Sequence, residues 1–335
     1  MARVTLKKLS EQTGLAVSTI SEILSGKKNF CSEETCRMVR ETAERLGYIP
    51  NVGFKIMTGR DSGTAAIIFS QRRTYFIESN LLLSMKLLES LEKQGRSAYT
   101  VVMDYTEQEN LAKIRNLINR GCRDFFFLGS PVGIQNLCRF LKESDLWISC
   151  YNSVIDSGLD ELPANRNLQV DCIAAYRIFF QHFQKRKMHF FCVMSEHHFN
   201  LYCRETLSGL GLEPEKYFLP IEDLAHLQED CLLRARETAR RAAGSVIPRL
   251  TAPVGWICMS DHEAVGVQAA LLEHHCPTGD ADGAFVCGFG NSPAGKVSLC
   301  PVNTADLRLD YVVDFMLSGE TEKRRILYLP EMIFR

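Results

Sequence analysis

From Thr64 onward, strand-like apolar runs alternate with amphipathic helical patterns, and this alternation constrains the fold more than any other feature. AAIIFS reads as a buried strand, and residues 78–94 as a helix closed by Gly95. AYTVVMDY is the next strand and 107–120 the next helix, closed by Gly121; DFFFLGSP, a helix near 133–143 and LWISCYN follow. After a break bearing Gly, Pro and Asn at 157–167, the theme restarts. Helix 172–185, strand HFFCVMS, helix 200–211, strand YFLPI, helix 226–243, strand VGWICMS, helix 262–274 and strand AFVCGFG complete it. Such βα repeats form parallel doubly wound sheets, with ligands at the carboxyl ends of the strands. At 335 residues, the chain can hold this body and a small domain besides.

The first sixty residues follow a different pattern. TLKKLSEQTGLAVSTISEILSG, residues 5–26, sets two short amphipathic segments around Gly14. Thr5 suits a helix N-cap, and Leu6, Leu9 and Ser10 an inner face. Gly14 supplies the left-handed conformation of a sharp turn, and Leu15 plugs the corner. The second helix opens at Ala16 or Val17 and buries Ile20, Ile23 and Leu24. Its other face shows Ser18, Thr19, Ser21 and Glu22. A third helix follows Ser32, carries Glu33 and Glu34 where negative charge suits the dipole, buries Val39, Ala43 and Leu46, and stops at Gly47. Any small three-helix bundle shares this spacing. The tight glycine turn also makes it a helix-turn-helix, whose second helix presents short polar side chains to base edges in the major groove. Residues 1–60 hold ten Lys or Arg against six Asp or Glu, and the remainder 29 against 34. A modestly basic head on an acidic body suits a polyanionic partner.

These 22 residues, with SEETCRMVRETAERLGYIPN after them, resemble the headpiece of lactose-repressor (LacI/GalR) transcription regulators, without a gap through the two DNA-reading helices. The resemblance implies that Thr5 and Leu6 touch phosphate, that Val17 and Ser18 select bases, and that Thr19 and Ser21 support the helix. Glu22 departs from the family, which usually has arginine there. Arginine reads guanine bidentately, whereas glutamate can only accept, as from cytosine N4; alternatively Glu22 turns away to pair with Lys27 or Lys28. The resemblance makes NVGFKIMTGRDSG a hinge helix on the minor groove, starting at Asn51, with Met57 as the wedge. Phe54 replaces a small residue where two hinges meet, and Gly53 lowers helix propensity by about 1 kcal/mol. A plain flexible linker is the other reading of this stretch.

For the rest, the resemblance implies a two-lobed periplasmic-binding-protein-like body at 62–335. Its first lobe would take 62–157 and 293–318 and its second 158–292 and 319–335, with three crossings between lobes. Members that bind sugars use an arginine in Arg-x-x-Gly; NLYCRETLSGLGLEP puts Asn200 and Cys203 there, with Arg204 one helical turn away. The usual Gly-Phe-Asp reads GFGNSP, giving Gly290 and Asn291. The usual Asn-Asp reads Ser260-Asp261, and Phe76 matches an aromatic that stacks on ligand rings. A charged clamp is not evident, so either the effector differs from ordinary monosaccharides or the cleft has lost effector binding.

Thirteen cysteines run from Cys31 to Cys300 without a Cys-x-x-Cys pair, and several sit inside strand-like runs. With no signal-peptide pattern at MARVTLKKLSEQ and no membrane-length apolar run, they read as reduced core hydrophobes of a bacterial cytoplasmic protein. His197-His198 and His274-His275-Cys276 lack metal-ligand spacing. In SDHE, 260–263, adjacent residues cannot converge into a triad, and Asp261 reads as a helix cap. Phosphate-loop and dinucleotide fingerprints are missing. KRRIL, 323–327, reads as a solvated connection to a final strand LYLPEMIF.

The resulting expectation is an all-α helix-turn-helix headpiece at 1–49, a hinge at 50–61, and an α/β two-lobed body with doubly wound parallel sheets at 62–335. Function is expected to be sequence-specific binding of a double-stranded DNA operator by a homodimer, most simply as a repressor, with no enzyme activity, cofactor, metal or membrane. A sugar-like effector would sit in the cleft. The alternatives are a solute-binding receptor without a DNA role and a constitutive DNA-binding regulator without an effector.

Overall fold

Thr64–Phe69 (β1) buries nearly every side chain, which requires cover on both faces of its sheet. A computed structural model supplies that cover. It describes residues 4–24, 31–48, 63–70, 77–152, 161–194, 197–219, 221, 231–278, 283–298, 302–319 and 325–334. The chain divides into two units, Met1–Ser62 and Gly63–Arg335.

The first unit holds α1 (Leu6–Thr13), α2 (Val17–Leu24) and α3 (Glu33–Leu46) around Leu9, Ile20, Ile23, Val39 and Ala43. Leu6, Leu15, Leu24 and Leu46 pack at the edge of this core.

In the second unit, six strands make one sheet. They are β1, β2 (Ser97–Val102), β3 (Cys122–Leu128), β4 (Trp147–Asn152), β5 (Arg166–Val170) and β10 (Arg325–Tyr328), in the order β10-β5-β4-β3-β1-β2 and all parallel. Helices α4 (Ile77–Lys93), α5 (Glu107–Asn119) and α6 (Ile134–Glu143) connect them. The second sheet runs β11-β9-β8-β7-β6. Its strands are β6 (Phe190–Val193), β7 (Gly255–Cys258), β8 (Phe285–Phe289), β9 (Asn303–Asp306) and β11 (Glu331–Ile333), and only β11 is antiparallel to its neighbour. Its helices are α7 (Cys172–Lys185), α8 (His197–Gly209), α9 (Cys231–Val246), α10 (Asp261–Glu273) and the short α11 (Pro293–Val297). Helix α12 (Leu309–Leu317) packs on α4, β4 and β5. The aromatic side of α7, with Tyr176, Phe179, Phe180 and Phe183, joins a core shared by both sheets.

The sheets divide the chain differently from the expected lobe boundaries. Strand β5 belongs to the first sheet, so the first crossing follows Val170 and not residue 157. Strand β9 belongs to the second sheet, and only α12 returns to the first, turning at Arg308 with φ +43. The expected single strand LYLPEMIF is two: β10 includes part of the KRRIL run and pairs with β5, whereas β11 pairs with β9. Pro330 lies between them and cannot donate to a ladder. YFLPI makes one bridge, Cys192 to Phe218, instead of a strand. The chain passes between the sheets after β5, after β9 and after β10.

Candidate functional site

In the first unit, local hydrogen bonds fix the helix-turn-helix. Thr5 Oγ1 accepts from Lys8 N–H at 3.4 Å, capping α1. Gly14 closes it at φ +70, donating to Ser10 O at 2.9 Å. The Ser10 hydroxyl donates to Leu15 O at 2.6 Å, and that of Thr13 to Leu9 O at 2.8 Å, so both turn hydroxyls brace the corner. Ser32 caps α3 by accepting from Thr35 N–H, and Gly47 ends it at φ +68. These bonds leave α2 with Ile20 and Ile23 inward, Val17 42% exposed and Ser18 exposed; Thr19, Ser21 and Glu22 are half-buried beside them. Asn51, Phe54 and Met57 lie outside the described residues, as do Lys27 and Lys28.

The second unit offers polar groups at the carboxyl ends of strands. Asn200 and Arg204, four residues apart, share one face of α8 and line a cavity of about 310 Å3 with Met194, Glu215, Phe218, Leu219 and Ile221. Arg204 therefore stands one helical turn on from Asn200 and faces the same way. Its guanidinium stacks 4.3 Å from the Phe218 ring, while Nε donates to Asn200 Oδ1 and Nη1 to Glu215. Cys203 points the other way. It is fully buried, with its sulfur 3.8 Å from that of Cys192, and burial holds its thiol pKa well up.

Asp261 has a different role from the one expected. The cap of α10 is Ser260, accepting from Glu263 N–H at 3.3 Å; Asp261 sits one residue inside and is 1% exposed. Its Oδ2 accepts from Ser292 N–H at 2.6 Å and its Oδ1 from the Thr304 hydroxyl at 2.8 Å. A Cβ on Gly288 or Gly295 would press to 2.4 Å or 2.8 Å from those oxygens. Asp261 is thus a buried clasp joining α10, α11 and β9. Asn291, left-handed at φ +50, donates Nδ2 to Asp306 at 2.8 Å and its N–H to Thr304 Oγ1 at 3.1 Å. Gly290 stands at φ +116, a backbone conformation that residues with a Cβ rarely adopt. Asp261, Gly290 and Asn291 do not join Asn200 and Arg204 in lining the cavity. Phe76 lies outside the described residues.

Sequence reasoning missed a second polar group. Ser70, Ser130 and Asn152 stand at the carboxyl ends of β1, β3 and β4, adjacent strands. Ser70 Oγ donates to Ser130 O at 3.0 Å, and Ser130 Oγ to Asn152 Oδ1 at 2.5 Å. Asn152 is buried, and its Nδ2 finds no acceptor among the described residues. The signal was present in IIFS, FLGS and SCYN, each a buried run ending in a polar residue.

Set against known proteins, this architecture has full-length counterparts. The lac repressor dimer bound to operator and the anti-inducer ONPF superposes with a TM-score of 0.73, covering 100% of this chain and 98% of that one at 14% identity. The chain has the lac-repressor fold. A LacI-family transcriptional regulator from Silicibacter pomeroyi superposes on this fold at 0.67, with 18% identity over 99% of this chain and 98% of that one. In sequence, the maltose regulon regulatory protein MalI of Escherichia coli (strain K12) is 26% identical over 141 residues. That match spans 42% of this chain and 40% of MalI. No family model matches. The resemblance drawn from the headpiece residues is borne out in the fold of the whole lac-repressor-like chain. No helix among the described residues is long and apolar enough to cross a membrane.

Proposed function

We propose that this chain is a sequence-specific DNA-binding transcription regulator, acting as a dimer on a pseudo-palindromic operator in the bacterial cytoplasm. The carrying observation is α2, fixed by turn hydrogen bonds with Val17 and Ser18 outward, on a chain with the lac-repressor fold. In this reading residues 1–49 read DNA, 50–61 form a hinge with Asn51, Phe54 and Met57 on the minor groove, and 62–335 carry the ligand and dimer surfaces. The regulators it resembles support the reading: one was solved as a dimer on operator DNA, and MalI is a regulatory protein.

Selection of bound DNA from a random library at stated salt tests it. A two-fold symmetric motif is the expected result; salt-dependent binding with no motif would defeat it. Within the motif, Glu22 takes a cytosine N4 amine, and Glu22→Arg is expected to move that position toward guanine. A base preference unchanged by Glu22→Arg removes Glu22 from the readout.

Dimerisation rests on α4. Leu81, Met85 and Leu88 are 50%, 64% and 36% exposed at i, i+4 and i+7, one continuous helical face. Val102 adds exposed apolar surface on the α4 side of β2, the edge strand that contacts α4. Met85→Glu is expected to yield monomers by sedimentation and to weaken operator binding at least about 100-fold, since one headpiece buries too little surface for tight binding. Dimers that persist at micromolar concentration would place the interface elsewhere.

A further inference from the structure

We propose that the cavity beside α8 binds a small organic oxyanion with an apolar body, and that Glu215 occupies the oxyanion position until such a ligand displaces it. This rests on the reading of the second unit as a ligand-responsive body, and it names the ligand's chemistry. Three observations carry it.

First, Arg204 is held as a receptor would hold it. Its guanidinium lies over Phe218 at 4.3 Å, and Nε is fixed by Asn200, so the plane and azimuth of the fork are set before any ligand arrives. A fork so fixed loses little rotamer entropy when it takes up a carboxylate or a phosphate monoester.

Second, the acceptor on Nη1 is easily exchanged. Glu215 reaches Arg204 from the short helical turn Pro214–Lys216, and its side chain is 83% exposed. A carboxylate this open gains little from an ion pair, because water and salt screen it. Arg204 itself is only 29% exposed in its side chain. The pair therefore joins a fixed, partly desolvated cation to a loosely held anion, and a second anion can take the place of the second partner.

Third, the lining defines the rest of the ligand. Met194, Phe218, Leu219 and Ile221 provide apolar wall, and Asn200 is the single neutral polar side chain among the described lining residues. A cavity of about 310 Å3 accommodates one ring or a short branched chain. Oxyanion and apolar body together fit the site.

Calorimetric titration of the full chain tests this with phenyl phosphate and benzoate as probes, and with inorganic phosphate, benzyl alcohol and glucose as comparators. The two aryl anions are expected to bind, with inorganic phosphate and benzyl alcohol each at least tenfold weaker. Glu215→Gln keeps the shape and removes the competing charge, and should tighten phenyl phosphate binding about five- to tenfold. Arg204→Lys should weaken it at least tenfold by losing the planar fork, and the circular dichroism of that variant shows whether it is folded. Glucose or benzyl alcohol binding as well as the aryl anions would overturn the proposal. So would Glu215→Gln leaving anion affinity unchanged, or an inorganic phosphate signal equal to that of phenyl phosphate. Binding is read without DNA, so a failure here leaves the headpiece reading standing, and a failed operator selection leaves this result interpretable.

Discussion

Ile20→Ala is expected to unfold the headpiece and abolish operator binding while the body stays folded. Ile20 is fully buried in a small core whose other buried members among the described residues are Leu9, Ile23, Val39 and Ala43. Removing a buried isoleucine to alanine costs about 2–5 kcal/mol, as lost transfer free energy plus residual cavity. A domain under about 70 residues seldom holds more than about 3–5 kcal/mol in total. The loss therefore consumes most or all of the headpiece stability, and α2 ceases to be a preorganised surface. Operator affinity should fall at least about 100-fold, since each 1.4 kcal/mol is tenfold. Thermal melting should retain the transition of residues 63–335. Val17→Ala provides the contrast: Val17 is exposed, so stability should hold while base preference changes. Wild-type operator affinity in Ile20→Ala would mean that the headpiece core is not what orients the reading helix.

Asp261→Ala is expected to act on the body. It removes the acceptor of Ser292 N–H and of the Thr304 hydroxyl, both buried. Each stranded donor costs about 1–3 kcal/mol, so the two together cost about 2–6 kcal/mol. For a unit of this size about 2–4 °C is lost per kcal/mol, and the body should melt about 4–24 °C lower. Asp261→Asn should recover only part of this, because an amide presents one acceptor and must point a donor at a donor. If Asp261 instead served only to hold a ligand, the ligand-free variant would melt like wild type. Scanning calorimetry without ligand separates the two.

How far the sequence could be read depended on the range of the interactions. The headpiece was legible residue by residue, since Thr5, Gly14, Ser32 and Gly47 act on neighbours three to five positions away, as the caps and turns display. The βα alternation was legible for the same reason: burial on both sheet faces writes continuous apolar runs, and amphipathic helices write a 3.6 period. The helices over Cys172–Lys185 and Glu107–Asn119 fall where their patterns lie.

By itself, then, the sequence determined the two kinds of unit, the parallel character of the sheets and the face that α2 turns outward. Which strand joins which sheet was decided only in three dimensions. Nothing local marks β5 as the last strand of the first half or divides β10 from β11 beyond Pro330, because sheet membership depends on partners distant in the chain. The same holds for the side chains. Asp261 reads locally as a cap, yet its hydroxyl partner Thr304 is 43 residues on. Ser70 meets Ser130 across 60 residues. Arg204 is an ordinary helical arginine until Glu215 and Phe218 fold against it. Local propensity sets a residue's direction from its own backbone; what stands in that direction is set by packing.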